Sequence, residues 1–222
     1  MPTRDRVVGP GADTTFPARG HAATLAIVTL WLVTDDSSKI SADQYDRGYD
    51  YTTYWTGRDY ENAAEQAAIR ELIGSEHFRH AADIGGGFGR LSLLLREYAD
   101  KVTLTDPSQT QLDASQELLK NTDIEVRRMQ AEALGFHDGQ LDLVTMVRVM
   151  HHLPDPTAAF REISRVLTPH GVAIIEVANS GHAMNRLRAT MRGEKLPKTP
   201  VPVNVANTRD DGEEPISFVN HN

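Results

Sequence analysis

The chain has no cysteine among its 222 residues. That absence excludes a disulfide scaffold, a thiolate nucleophile and every cysteine-ligated zinc or iron–sulfur site. Aromatic residues are scarce at 6%. No apolar run approaches the ~20 residues that a membrane-spanning helix needs. Positive charge is in deficit, with 23 Lys and Arg against 31 Asp and Glu for a formal charge of −8. Such a balance argues against broad electrostatic capture of nucleic acid. What remains is 40% hydrophobic and globular in composition. The length suits one full domain with a sizeable core.

The longest apolar stretch, HAATLAIVTLWLV, spans 21–33. Arg4, Arg6 and Arg19 precede it, which is the layout of a secretory signal, but Thr34-Asp35-Asp36-Ser37-Ser38 follows with no small-x-small cleavage pattern. The other readings are an appended helix or strand, or an extension outside the folded domain. The Pro- and Gly-containing segment 1–20 reads as flexible. We divide the chain into an N-terminal extension (1–40), a helical lid or cap (41–74), a ligand-binding core (75–178) and a partial C-terminal segment (179–222).

Strand and helix patterns alternate through the core. The aromatic segment with Tyr45, Tyr49, Tyr51, Tyr54, Trp55 and Tyr60 leads into a helix over 61–73, closed by Gly74. Strands are expected at Phe78–Ile84, 102–105, 124–129, 141–147 and 172–177. Helical spacings separate them, as in Leu91, Leu94 and Leu95, or Phe160, Ile163 and Val166. The run 141–147 is continuously apolar, as a strand buried on both faces must be. Pro169-His170-Gly171 reads as the turn before the fifth strand. This alternation implies an α/β fold: a Rossmann-like three-layer sandwich with a mostly parallel sheet. Ligands of such sheets bind outside the carboxyl ends of the strands.

The strand ends carry the chemistry. After the first stands Asp83-Ile84-Gly85-Gly86-Gly87-Phe88-Gly89-Arg90. Glycines there let the backbone approach a ligand at a helix N-terminus. A dinucleotide site wants G-x-G-x-x-G, yet counting from Gly85 the last glycine falls at Arg90. After the second strand, Asp106 offers two acceptor oxygens, suited to paired ribose hydroxyls of any nucleoside ligand. Ser108 is available to cap the next helix in its place. Gln130-Ala131-Glu132 follows the third strand, and Val147-Arg148-Val149-Met150-His151-His152 the fourth.

These four strand ends together resemble the class I S-adenosylmethionine-dependent methyltransferases, in particular the small-molecule, ubiquinone/menaquinone-biosynthesis-like subgroup. The tail Arg165-Val166-Leu167-Thr168-Pro169-His170-Gly171 is similar to that subgroup's R-V-L-K-P-G-G turn. The resemblance covers roughly 75–178. It implies S-adenosyl-L-methionine as cofactor. Asp83, Gly85, Gly86 and Gly87 would lie at its methionyl and ribose parts, Asp106 at the ribose hydroxyls and Pro107 near the adenine. Ala131 and Glu132 match the adenine-contact segment, and Val147 a backbone position at the methionyl end. Gln130 departs from the family's usual aspartate, keeping an acceptor but not its charge. His170 replaces a glycine at a turn where φ > 0 would be costly.

Methyl transfer from a sulfonium is a direct displacement, so the protein's main task is to align the acceptor and exclude water. The resemblance implies a small-molecule methyl acceptor. His151 and His152 are candidates for a base, against the plainer role of packing. As neighbours on an extended chain they would point to opposite faces, which disfavours metal ligation. Arg58 and Tyr60 are expected at the cofactor, Arg58 on a carboxylate and the aromatics over the sulfonium, unless this segment is only a packed cap. Arg127 and Arg128 lack the basic, aromatic-interleaved surroundings of a nucleic-acid site. The segment 179–222 offers a helix near 182–191 and one strand-like run, Ile216 to Val219, but no material for a full C-terminal hairpin. The C-terminal strands are therefore expected to be missing or incomplete. An edge would be left at the fifth strand, to be covered by a helix, the N-terminal extension or a homodimer partner. A cytoplasmic methyltransferase without a membrane span is the reading. The alternatives are a truncated, non-catalytic cofactor-binding remnant and an NAD-dependent oxidoreductase.

Overall fold

The structure is a computed structural model that describes residues 6–8, 24–28, 51–153, 155–177, 183–194, 201–204 and 217–220. The expectations for Tyr45, Tyr49, Arg4, Arg19, Pro154 and segments 195–200 and 205–216 lie outside the described residues.

Seven strands form one parallel sheet in the order β1-β2-β7-β6-β3-β4-β5. They are β1 (Arg6–Val8), β2 (Thr24–Val28), β3 (Phe78–Ile84), β4 (Ala99–Asp106), β5 (Glu125–Arg128), β6 (Leu141–Met146) and β7 (Leu167–Glu176). Alternate side chains leave a strand on opposite faces, and the core divides accordingly. Val144 of β6 and Ile175 of β7 pack with Ile163 and Val166 of α5 (Thr157–Val166). Their chain neighbours Leu143 and Ile174 pack on the other face. There they meet α2 (Asp59–Ile73) through Ile69, α3 (Arg90–Leu95) through Leu91 and α4 (Gln109–Leu119) through Leu112. Strand β6 is thus buried on both faces, as its unbroken apolar run requires. The remaining helices are α1 (Tyr51–Tyr54), which precedes α2, and α6 (Ala183–Arg192), in the position the 182–191 pattern indicated.

Strand β3 pairs with β4 on one side and β6 on the other, so the connections reverse direction between them. The crevice beyond this point is where the fold places ligands.

Three expectations need correction. The fifth strand is not an open edge, because β2 pairs with it in parallel from Thr24↔Val172 to Val28↔Glu176, and β1 pairs with β2. Thr24–Val28 within the apolar stretch is therefore an appended strand, and Arg6–Val8 within the supposedly flexible segment is a strand too. The backbone groups through which a homodimer would have formed are already paired. Second, Pro169, His170 and Gly171 belong to β7, where a register shift opposite Leu141 and Leu143 absorbs them. Neither His170 nor Gly171 has positive φ. Gly171 is needed for space instead, since a Cβ there would sit 2.8 Å from Leu167 Cδ2. Third, the C-terminal segment does build a hairpin, β8 (Val201–Asn204) antiparallel to β9 (Ser217–Asn220), as a sheet of its own. Among the described residues the main sheet gains no C-terminal strand.

Candidate cofactor and substrate cleft

At the carboxyl ends of β3, β4 and β6 the chain forms a cleft of about 200 Å³ that opens to solvent. Its floor is the glycine turn after β3. Gly85 and Gly87 have φ of 66° and 58°, a region that side-chain-bearing residues rarely enter. Gly86 is required by contact: a Cβ there would meet Asp83 Oδ2 and Leu104 Cδ1 at 2.5 Å each. The Asp83 carboxylate is buried and accepts from Thr145 Oγ1 at 2.9 Å and Ser92 Oγ at 2.7 Å. Burial pushes its pKa up, against these two hydrogen bonds.

Asp106 ends β4 and fastens the turn from the other side. Its Oδ2 accepts from the Gly87 N–H and its Oδ1 from the Ser108 N–H, each at 2.9 Å. Ser108 caps α4 by accepting from the Gln111 N–H, which leaves Asp106 at the cleft. Nearby, the buried Oε1 of Gln111 has no hydrogen-bond partner.

Asp83, Gly85, Gly86, Gly87, Asp106, Pro107, Gln130, Ala131, Glu132, Val147 and His152 all line this one cleft. Three expected residues do not. Tyr60 is 84% exposed on the outer side of α2. Arg58 lies over the Tyr54 ring at 4.2 Å and pairs with Glu61 at 3.6 Å. His151 sits outside, because the two histidines occupy a 3-10 turn, Met150–His152, and not an extended chain. Their rings pack against each other at 4.1 Å. Burial pushes His152 down to about 3. It is neutral at pH 7 and a feeble proton acceptor, while His151 lies outside the cleft lining. Arg127 and Arg128 are engaged within the protein, by Glu125 at 2.6 Å and by the Pro107 carbonyl at 2.7 Å.

Tyr51, Trp55, Arg90 and Arg148 line the lid-side wall; Trp55 is one of the aromatics expected over the cofactor, whereas sequence reasoning assigns the two arginines no role. Behind them lies Glu65 of α2, fully buried, accepting from Arg90 at 2.5 Å and from Arg148 Nε at 2.6 Å. Arg90 lies over the Trp55 ring at 3.8 Å and Arg148 at 4.9 Å. The helical spacing of α2 offered one warning: Glu65 falls among its inward positions beside Ile69 and Ile73.

Residues 82–175 match the family model described as a methyltransferase domain. The chain is 30% identical over 114 residues to a ubiquinone biosynthesis O-methyltransferase of Bordetella avium, covering 50% of this chain and 47% of that protein. It is 30% identical over 124 residues to a ubiquinone/menaquinone biosynthesis C-methyltransferase of Pseudoalteromonas translucida, covering 51% and 49%. The chain thus spans about half the length of the curated relatives it matches. Among solved structures, a Thermotoga maritima S-adenosylmethionine-dependent methyltransferase, a possible histamine N-methyltransferase by its description, shares the fold. It superposes with a TM-score of 0.53 at 18% identity, over 80% of this chain and 90% of that one. Residues 82–175, which carry the glycine turn, Asp83, Asp106 and the loop after β6, are thus the part of the chain that is similar to methyltransferase domains.

Proposed function

We propose that this chain binds S-adenosylmethionine in the strand-end cleft and transfers its methyl group to a small-molecule acceptor. The observation that carries the reading is the paired-acid turn. Asp106 holds the Gly87 N–H while Asp83 presses against Gly86, which leaves a backbone cradle with room only for glycine. The unpartnered Gln111 Oε1 beside it is a buried acceptor ready for a ligand donor. These groups fit a nucleoside with two free ribose hydroxyls.

The cofactor, when bound, supplies an activated methyl group. Everything else falls to this chain's residues. Asp106 orients the ribose, Asp83 keeps the turn in place, and Trp55 and Tyr51 shut water out from the lid side. His152 stays neutral and gives no strong base. An acceptor whose nucleophile is already acidic or ionised, such as a phenol or an enol, fits this cleft best. Two relatives are named as methyltransferases of ubiquinone or ubiquinone/menaquinone biosynthesis. Among the described residues no helix is long and apolar enough to cross a membrane. A soluble cofactor of this type points to the cytoplasm as the compartment.

The test is transfer of labelled methyl from S-adenosylmethionine to a panel of phenols, enols, amines and thiols. Phenols or enols should be labelled first, with S-adenosylhomocysteine released in equal amount. Binding of the cofactor with no labelled product across the panel would leave a cofactor-binding module and remove the enzyme.

A further inference from the structure

The lid-side wall gathers two largely buried guanidiniums around one fully buried carboxylate. Arg90 and Arg148 converge on one buried carboxylate, Glu65. A second acid, Glu176, accepts from the Arg148 N–H at 2.7 Å, but burial pushes its pKa up, towards the uncharged form. Buried donors that lack a partner are costly until a ligand supplies one.

Two donors in the same wall are also unspent. Arg148 Nη2 and Trp55 Nε1 are buried without a hydrogen-bond partner, and both residues line the cleft. The other Arg148 donors are committed, Nε to Glu65 and Nη1 to the Tyr54 hydroxyl at 3.0 Å. Arg148 is also the one non-glycine residue with positive φ among the described residues, at 62°. Such strain persists only where the surroundings over-determine the conformation. Here the Glu176, Glu65 and Tyr54 contacts do so, leaving Nη2 as the remaining free corner of a fixed guanidinium.

We propose that Glu65 is a positioning residue: it fixes Arg148 so that Nη2, together with the indole N–H of Trp55, forms a two-donor clamp for a carboxylate in the cleft. The clamp rests on the methyltransferase reading above. Its carboxylate comes from the amino-acid end of the cofactor or from an acidic acceptor. A guanidinium with an adjacent N–H is well matched to two carboxylate oxygens. Glu65 touches no ligand. Its effect passes through the arginine.

The experiment compares binding of S-adenosylhomocysteine with 5′-methylthioadenosine, which lacks the amino-acid end, and separately titrates benzoate into the S-adenosylhomocysteine-saturated protein. In Glu65→Gln, with native circular dichroism, the preference for S-adenosylhomocysteine should fall about tenfold while 5′-methylthioadenosine binds as before. A purely structural role would weaken both nucleosides together. If that preference is unchanged but benzoate binding is lost, the carboxylate belongs to the acceptor. Should Glu65→Gln fail to fold, Trp55→Phe keeps the ring under both arginines and removes only the N–H. The same preference or the benzoate affinity should then drop about threefold. Wild-type preference and wild-type benzoate binding in the folded variants would overturn the clamp. A wild-type protein that binds neither nucleoside would overturn the methyltransferase reading, and the clamp with it unless benzoate still binds and is lost in Trp55→Phe.

Discussion

Asp83 and Asp106, on the sheet side of the cleft, are satisfied by neutral partners: two hydroxyls for the first and two backbone N–H groups for the second. Glu65, on the lid side, is gripped by two guanidiniums and has no exposure to water. The sheet wall therefore spends its carboxylates on shaping backbone, and the lid wall spends one carboxylate on aiming cations. The first arrangement pre-forms a cradle for neutral sugar hydroxyls. The second stores a positive end for an anion.

If that contrast is sound, the largest effect should come from Glu65→Ala, which leaves two buried guanidiniums without their shared counter-ion. A loss of about 3–5 kcal/mol in denaturant unfolding is expected. A loss below ~1 kcal/mol, the scale of an exposed pair, would break the comparison. Next comes Gly86→Ala. The added Cβ must displace Asp83 or Leu104 at 2.5 Å, for about 1–3 kcal/mol of stability. S-Adenosylhomocysteine affinity should collapse with it, which calorimetry would detect. Asp106→Asn keeps the shape but sets an amide N–H₂ against one of two backbone donors. It should cost about 1.5–3 kcal/mol and at least tenfold in nucleoside affinity, whereas the lid-side clamp should be untouched.

The effect that is smallest at neutral pH is on pH dependence. His152 has a pKa near 3 in the folded chain, against about 6.5 when unfolded. Below about pH 6.5 the unfolded chain takes up a proton that the folded one refuses, so stability falls with falling pH towards 3. His152→Gln should flatten that slope by ~1.4 kcal/mol per pH unit between pH 6 and 4. Equal slopes in the two proteins would mean that the ring is free to ionise in place.

The contrast also explains how far the sequence could be read. The sheet wall is local: Asp83, Gly86 and Ser92 lie within one strand-turn-helix unit, and Asp106 and Ser108 are two residues apart. Glycine register and an acid at a strand end suffice to find them. Strand β6 was equally plain, since burial on both faces leaves an uninterrupted apolar run. The lid wall is not local. Glu65 and Arg148 are 83 residues apart, and nothing in either neighbourhood announces the other. Arg58 in its aromatic segment looked like the better cation, yet Tyr54 and Glu61 hold it outside the cleft. The β2 pairing was hidden for a similar reason: an apolar run fits a helix, a strand or a leader until its partner strand is known. His170 misled in the opposite direction, because the limit at that turn is the space around Gly171 and not its φ.

The most direct measurement is a calorimetric titration of the full chain with S-adenosylhomocysteine and, separately, with NAD. The account predicts one-to-one binding of S-adenosylhomocysteine that is lost in Gly86→Ala, and no heat with NAD. Binding of NAD alone, or S-adenosylhomocysteine binding that Gly86→Ala leaves intact, would contradict it.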